Sequence, residues 1–156
     1  MAEKTRAPTR KRTGDAEIVA LLVKVILEEG TVASQTRLAQ LVNDELPRGR
    51  VHVSPERLRQ LAIRSGLVGV AIRTRTGGET PAAMDACPVC GGKLTRTANK
   101  TLTGATTQTG YRCARCPWWT GRELRIPQHY VFQAKVSRSD SKKGQLAFVG
   151  SRRSRL

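Results

Sequence analysis

The chain has 156 residues and a formal net charge of +16, with 28 Lys and Arg against 12 Asp and Glu. This length fits one medium domain or two small ones, and no apolar run approaches the roughly 18 residues that cross a membrane. The composition therefore argues against a membrane protein. The excess of positive charge indicates a polyanionic partner, for which nucleic acid is the usual candidate.

Residues 1–13 form a basic tail that contains five Lys and Arg and one acidic residue. The tail has no apolar face to bury, so it is predicted to be disordered in isolation. It either solubilises the chain or acts as a phosphate-binding arm, and the net charge of the chain favours the arm.

Two amphipathic helices follow the tail. The first is predicted over Asp15–Glu29, with Asp15 as a cap and Gly30 as the stop. Its apolar residues recur at three- and four-residue spacing and form one buried stripe. The second helix is predicted from Ser34 to about Leu46, and residues 51–53 after it are a candidate short strand.

The third helix has the clearest start in the chain. Ser54 is a good N-cap, Pro55 fits the first helical position, and the helix is predicted to end at Gly66. Its polar face carries Arg57, Gln60 and Arg64. A strand is predicted next, over residues 67–75, with Arg73 and Arg75 on the same side.

Three helices and a strand in this order resemble a winged helix-turn-helix domain, here over residues 14–76. Residues 13–45 contain two basic and six acidic residues, whereas residues 46–76 contain seven basic residues and one acid. The resemblance implies that the basic side docks on a nucleic acid. It implies groove contacts by Arg57, Gln60 and Arg64, and phosphate contacts by Arg73 and Arg75. The alternative is that these side chains only solvate a surface.

Residues 77–86 are predicted to be a linker between two domains. Gly77, Gly78 and Pro81 interrupt regular structure, and no pattern of buried residues is visible. The two acidic residues of this segment make it a poor binder of a polyanion.

All four cysteines of the chain lie in two Cys-x-x-Cys pairs, Cys87 with Cys90 and Cys113 with Cys116. Two such pairs complete the tetrahedral set of thiolates that zinc prefers. Two disulfides or a dithiol redox pair are the alternatives. Disulfides suit a secreted chain, but the first twelve residues contain no apolar signal segment, and a redox pair needs only one Cys-x-x-Cys. We therefore predict a closed Zn²⁺ site with a structural role.

Residues 93–97 and 108–112, between the two pairs, are predicted to form a hairpin. Together with the cysteines they resemble a zinc ribbon, which covers residue 87 to about residue 127. Pro117 stands where such turns usually carry glycine, so the second turn is expected to be distorted. Residues 128–136 look extended and are predicted to add a strand to the ribbon. Because the ribbon is predicted as a separate domain, loss of zinc is expected to leave residues 15–76 folded.

The predicted ribbon carries basic and aromatic residues that suit contact with nucleic acid. They are Arg96, Lys100, Arg112, Arg115, Trp118, Trp119 and Arg122. Adjacent residues of a strand point to opposite faces, so one tryptophan is expected to pack over the zinc site while the other is more exposed. The sequence does not decide which one, and the alternative is that both serve the small core. Residues 137–156 are predicted to be a flexible basic tail with an apolar island at residues 145–149.

The predicted fold class is α+β: a small three-helix winged-helix domain, a β zinc ribbon and flexible basic tails. The chain as a whole resembles archaeal-type transcription or ribosome-associated zinc-ribbon proteins. An enzyme is not expected, because the sequence lacks a phosphate-binding glycine loop and a nucleophile motif. We predict a zinc-containing nucleic-acid-binding protein, foremost a DNA-binding transcription factor or regulator. The alternative is an RNA-binding ribosome-associated or RNA-processing protein, and an adaptor that docks through its ribbon ranks third.

The partners expected from this function are nucleic acid, DNA before RNA, and further a polymerase or the ribosome. Neither a membrane nor a small-molecule substrate is expected. The predicted location is the cytoplasm, in association with the nucleoid or the ribosome.

Overall fold

The computed structural model describes residues 10–135. Over this range the chain has an α+β fold with three helices and two three-stranded antiparallel sheets. No helix of the described range is long and apolar enough to cross a membrane. Residues 1–9 of the predicted first tail lie outside the described residues, as do residues 136–156 with the apolar island at residues 145–149.

The three predicted helices are confirmed. They are α1 (Asp15–Glu29), α2 (Gln35–Glu45) and α3 (Pro55–Ser65). The hydroxyl of Ser34 accepts the N–H of Arg37, and that of Ser54 accepts the N–H of Arg57, so both serines cap their helices as predicted. Asp15, predicted as the cap of α1, is instead its first helical residue, and the cap position is Gly14, which supplies no side-chain bond.

The strands form two separate sheets. They are β1 (Thr31–Val32), β2 (Val68–Glu79), β3 (Leu94–Lys100), β4 (Thr106–Cys113), β5 (Trp119–Thr120) and β6 (Glu123–Ala134). The first sheet has the order β1-β6-β2, and the second has the order β3-β4-β5. The second sheet is the hairpin predicted between the cysteine pairs, with one short strand added.

The strand predicted at residues 128–136 does not extend the ribbon. It belongs to β6, which pairs antiparallel with β2 and with β1. Val70 lies opposite Phe132, and Ile72 lies opposite Tyr130. The physical reason is burial: Phe132 is fully enclosed between the sheet and the helices, and the small ribbon sheet offers no comparable apolar face.

The predicted linker is shorter than expected because residues 77–79 belong to β2, where Glu79 lies opposite Glu123. Gly77 lies inside β2 at a register shift, where the ladder to β6 passes over it. It lets the side chain of Ile126 pack where a Cβ atom would stand. Residues 80–122 therefore form an insertion between the two strands of one long hairpin, and Thr80 closes its base by donating its N–H to the carbonyl of Arg122 at 3.0 Å.

The strand predicted at residues 51–53 is also absent from the described structure. The side-chain amide of Asn43 takes the place of a partner strand there, because its Oδ1 accepts the N–H of Val53 at 2.7 Å and its Nδ2 donates to the Val53 carbonyl at 3.0 Å. The short strand that joins the sheet is Thr31–Val32, which pairs with Gln133 and Phe132.

One apolar core extends through both halves of the chain. It joins Leu22 of α1, Leu58 of α3 and Phe132 of β6 to the four cysteines and to Trp118. The cysteine turns and the helices therefore share buried surface, and the division into two independently folded domains stays a prediction.

We expect Phe132→Ala to lower the free energy of unfolding by about 3–5 kcal/mol, because the change removes a fully buried ring and leaves a cavity. Chemical denaturation monitored by circular dichroism measures this. Gln133→Ala, at the exposed neighbouring position of the same strand, is the control and should change stability by less than about 0.5 kcal/mol. Equal stabilities of the two variants would show that β6 does not carry the core.

Candidate metal centre

Four buried thiols converge on one point. The Sγ atoms of Cys87, Cys90, Cys113 and Cys116 all lie within 4.8 Å of one another. Cys87 and Cys116 are 3.5 Å apart at sulfur, as are Cys90 and Cys113. A tetrahedral zinc site with Zn–S bonds of about 2.3 Å separates its sulfurs by about 3.8 Å. The donor set, its spacing and its burial therefore fit a metal such as zinc held by all four side chains.

The backbone of each cysteine turn points N–H groups at sulfur in a regular pattern. Three donors stand two residues after their cysteine: Val89 to Cys87 at 3.4 Å, Gly92 to Cys90 at 3.4 Å and Arg115 to Cys113 at 3.3 Å. The N–H of Cys116 also donates to Cys113, at 3.4 Å, and the backbone of Trp118 acts against the rise in the pKa of the Cys116 thiol. Such bonds stabilise a negatively charged sulfur, as a metal-bound thiolate requires.

The missing N–H of Pro117 affects a carbonyl of the second turn rather than a sulfur. Gly91, at the matching position of the first turn, donates its N–H to a carbonyl and not to a thiol. Each turn is also closed by a backbone hydrogen bond. The N–H of Cys87 donates to the carbonyl of Gly92 at 2.9 Å, and the N–H of Cys113 donates to the carbonyl of Trp118 at 3.0 Å. What proline removes is the counterpart of the 2.8 Å bond from Gly91 to the Cys87 carbonyl.

The protonation of the thiols reflects their burial. Burial raises the pKa of the Cys87 thiol and of the Cys116 thiol. Burial acts in the same direction on Cys113, but the N–H groups of Cys116 and Arg115 outweigh it and lower the pKa of that thiol to about 7. The thiols of Cys87 and Cys116 therefore resist ionisation without a cation, and a bound divalent metal would supply that charge.

The metal centre is packed against α3 and β6. The Nε2 of Gln60 donates to the carbonyl of Val89, in the first cysteine turn, at 3.4 Å. Arg59 of α3 lies over the ring of Tyr130, 4.7 Å from its centroid. Burial is the main reason that the pKa of Tyr130 is raised, with smaller contributions from Arg59, which lowers it, and from Cys87 and Cys116, which raise it. The cysteine turns and the third helix therefore meet at one interface.

Two of the predicted groove contacts on α3 bond to other parts of the protein. Arg57 forms an ion pair with Asp15 at 2.7 Å, and Gln60 contacts the cysteine turn. Arg64 is exposed. Sequence periodicity placed these three residues on one helical face. The partners of Arg57 and Gln60, however, lie far away in the chain.

The remaining predicted contacts lie on the strands and the ribbon. The exposed ones are Arg73, Arg75, Arg96, Lys100, Arg112, Arg115, Trp119 and Arg122. Trp118 is 1% exposed and packs in the core, so it is not available to a nucleic acid, whereas Trp119 is 48% exposed. The expectation that one tryptophan is buried and one exposed is confirmed.

The structure pairs Trp119 with a residue that the sequence did not connect to it. The guanidinium of Arg125 lies over the indole, 4.1 Å from the ring centroid. The turn at Gly121 and Arg122 returns the chain and brings these residues together. That turn was the one local feature that could have indicated the pair.

No protein-family model matches the chain, and comparison with curated proteins and with solved structures gave no significant match. Its own geometry and charge are therefore what indicates its function.

We expect the wild-type protein to bind about one Zn²⁺ per chain, and Cys113→Ser to lose it, because hydroxyl is a poor substitute for a thiolate ligand. Metal analysis of purified protein measures this. Ala114→Ser introduces the same side chain at an exposed neighbouring position and should retain the metal. Zinc retained by Cys113→Ser at the wild-type stoichiometry would contradict the four-thiolate site.

Proposed function

We propose that this chain is a zinc-containing nucleic-acid-binding protein, foremost a DNA-binding transcription factor or regulator. The order α1-β1-α2-α3-β2-β6 and the sheet order β1-β6-β2 support a winged-helix arrangement. The wing in this proposal is the hairpin of β2 and β6, and the zinc ribbon is inserted between its two strands.

The observation that carries the proposal is a set of exposed basic residues without an acidic partner on α3, the wing and the ribbon. Basic residues near the acidic helix α1 form ion pairs: Lys24 lies 2.6 Å from Glu45, Arg57 lies 2.7 Å from Asp15, and Arg50 lies 3.8 Å from Glu17. On α3, the wing and the ribbon, several exposed basic residues have no acidic partner within residues 10–135. They include Arg64, Arg73, Arg75, Arg96, Lys100, Arg112, Arg115 and Arg122. Unpaired, exposed cations are the side chains that phosphates attract.

The wing rather than α3 supplies the main duplex contacts in this proposal. Arg57 and Gln60 already bond to other parts of the protein, so we assign the main duplex contacts to exposed residues that have no such partner. Arg73 and Arg75 are exposed at alternate positions of β2 and project from the same face of the hairpin. We assign phosphate contacts to these two and to Arg64.

The metal has a structural role in this proposal. Four protein thiolates leave no open position for a substrate, so the zinc supplies stability rather than chemistry. It fixes the two cysteine turns, and through them the strands that carry Arg96, Arg112 and Trp119.

RNA binding, in a ribosome-associated or RNA-processing role, is the second candidate. The exposed Trp119 is compatible with it, because sequence-tolerant stacking on unpaired bases occurs with RNA as well as with single-stranded DNA. Arg112 lies opposite Trp119 in the β4–β5 pair and would contact the phosphates of the same strand.

We expect Arg73→Gln and Arg75→Gln each to weaken binding to duplex DNA and to reduce the salt dependence of log Kd by about one unit per lost phosphate contact. Fluorescence anisotropy with a labelled duplex at several salt concentrations measures both quantities.

The matched control is Arg37→Gln, which removes the same charge at an exposed position of α2, away from the wing. It should leave the salt slope unchanged. Equal losses in all three variants would mean that only the net charge matters, and wild-type affinity in the wing variants would overturn the proposed interface.

A further inference from the structure

Trp119 is held in place by contacts that are unusual for an exposed tryptophan. Its backbone pairs with Arg112 in the β4–β5 ladder, and the guanidinium of Arg125 covers part of the indole at 4.1 Å from the centroid. The side chain is nevertheless 48% exposed. A large aromatic surface is thus presented to solvent in a fixed orientation.

Arg125 is itself anchored at three points. Its Nε donates to the hydroxyl of Thr74 at 3.0 Å, its N–H donates to the hydroxyl of Thr120 at 3.0 Å, and its carbonyl accepts the Nε1 of Trp118 at 3.1 Å. The stacked pair therefore requires little ordering when a ligand arrives. Preorganisation of this kind raises affinity because less conformational entropy is lost on binding.

The surroundings of the indole are cationic. Arg112 is its direct neighbour across the strand pair, and Arg122 is exposed in the turn that follows β5. An aromatic surface with positive charge at its edges suits a chain that offers a flat base and a phosphate at each step. A duplex does not suit it, because paired bases present only their edges.

We propose that Trp119, with Arg125 behind it and Arg112 beside it, forms a stacking site for an unpaired base of single-stranded DNA. This inference rests on the proposed DNA-binding function and adds a second mode to it. The wing arginines contact duplex phosphates, and the ribbon face takes a strand whose bases are unpaired. The charge of the ribbon face complements the phosphates of that strand.

The test uses the full-length, zinc-loaded protein with a labelled oligo-dT and, in parallel, with a labelled duplex. Trp119→Leu should weaken oligo-dT binding by about tenfold or more, since loss of one base stack has that effect, and should leave duplex binding unchanged. Trp119→Phe should retain most of the affinity, because a smaller ring still stacks. Leu102→Ala, at the exposed tip of the ribbon hairpin, is the control and should bind like the wild type.

A fluorescence measurement reports the contact directly. Oligo-dT should quench the tryptophan emission of the wild type and not that of Trp119→Phe, because the remaining Trp118 is buried. Oligo-dT affinity that is equal in Trp119→Leu and in the wild type would overturn the stacking site. Trp119-dependent binding of oligo-U without binding of oligo-dT would overturn the assignment to DNA.

The outcomes separate this inference from the function on which it rests. Duplex binding that depends on Arg73 and Arg75, without any binding of oligo-dT, would overturn the stacking site and leave the proposed function standing. Absence of binding to both probes would overturn both.

Discussion

The long antiparallel pair of β2 and β6 is the constraint on which the rest of the structure depends. Its register runs from Val68 opposite Ala134 to Glu79 opposite Glu123. The end near Val68 packs the inner face of the sheet on the three helices. The far end hydrogen-bonds to the ribbon, where the hydroxyl of Thr120 binds the N–H of Arg125 and the carbonyl of Glu123. Both halves of the protein therefore depend on one set of backbone hydrogen bonds.

The insertion of residues 80–122 between β2 and β6 determines how a metal bound by the four cysteines would stabilise the protein. The ribbon interrupts a hairpin, so the chain must pass through the metal centre before β6 can reach its partners. Loop closure costs entropy that grows with the length of the inserted segment, and a metal that fixes the insertion reduces that cost. The hydrogen bond from Gln60 of α3 to Val89 in the first cysteine turn adds a direct connection. Zinc binding and the folding of the helices are thus expected to be coupled.

Local patterns in the sequence predicted the features that local chemistry determines. The helix bounds follow from Ser34, Ser54 and Gly66, whose capping roles need only neighbouring residues. The four metal ligands follow from the spacing of two Cys-x-x-Cys pairs. Burial of one tryptophan and exposure of the other follows from strand alternation, although the choice between Trp118 and Trp119 depends on which face the core covers.

Long-range pairing was what the sequence could not supply. Gly77 was predicted to interrupt regular structure, yet it lies inside β2, at a register shift and under the side chain of Ile126. A residue far away in the chain decides this case. The same holds for the predicted groove contacts. Helical periodicity does not reveal the 2.7 Å pair of Arg57 with Asp15, because the two residues are 42 positions apart in the chain.

Hydrogen exchange before and after removal of zinc by a chelator tests the central claim that the ribbon and the helices share one core. We predict that metal removal accelerates exchange in the ribbon strands and also in α3 and β6. The amides of β6 are informative because they pair with β1 and β2, outside the metal site. Acceleration confined to residues 80–122, with unchanged protection of α3 and β6, would contradict the account and show two independent domains.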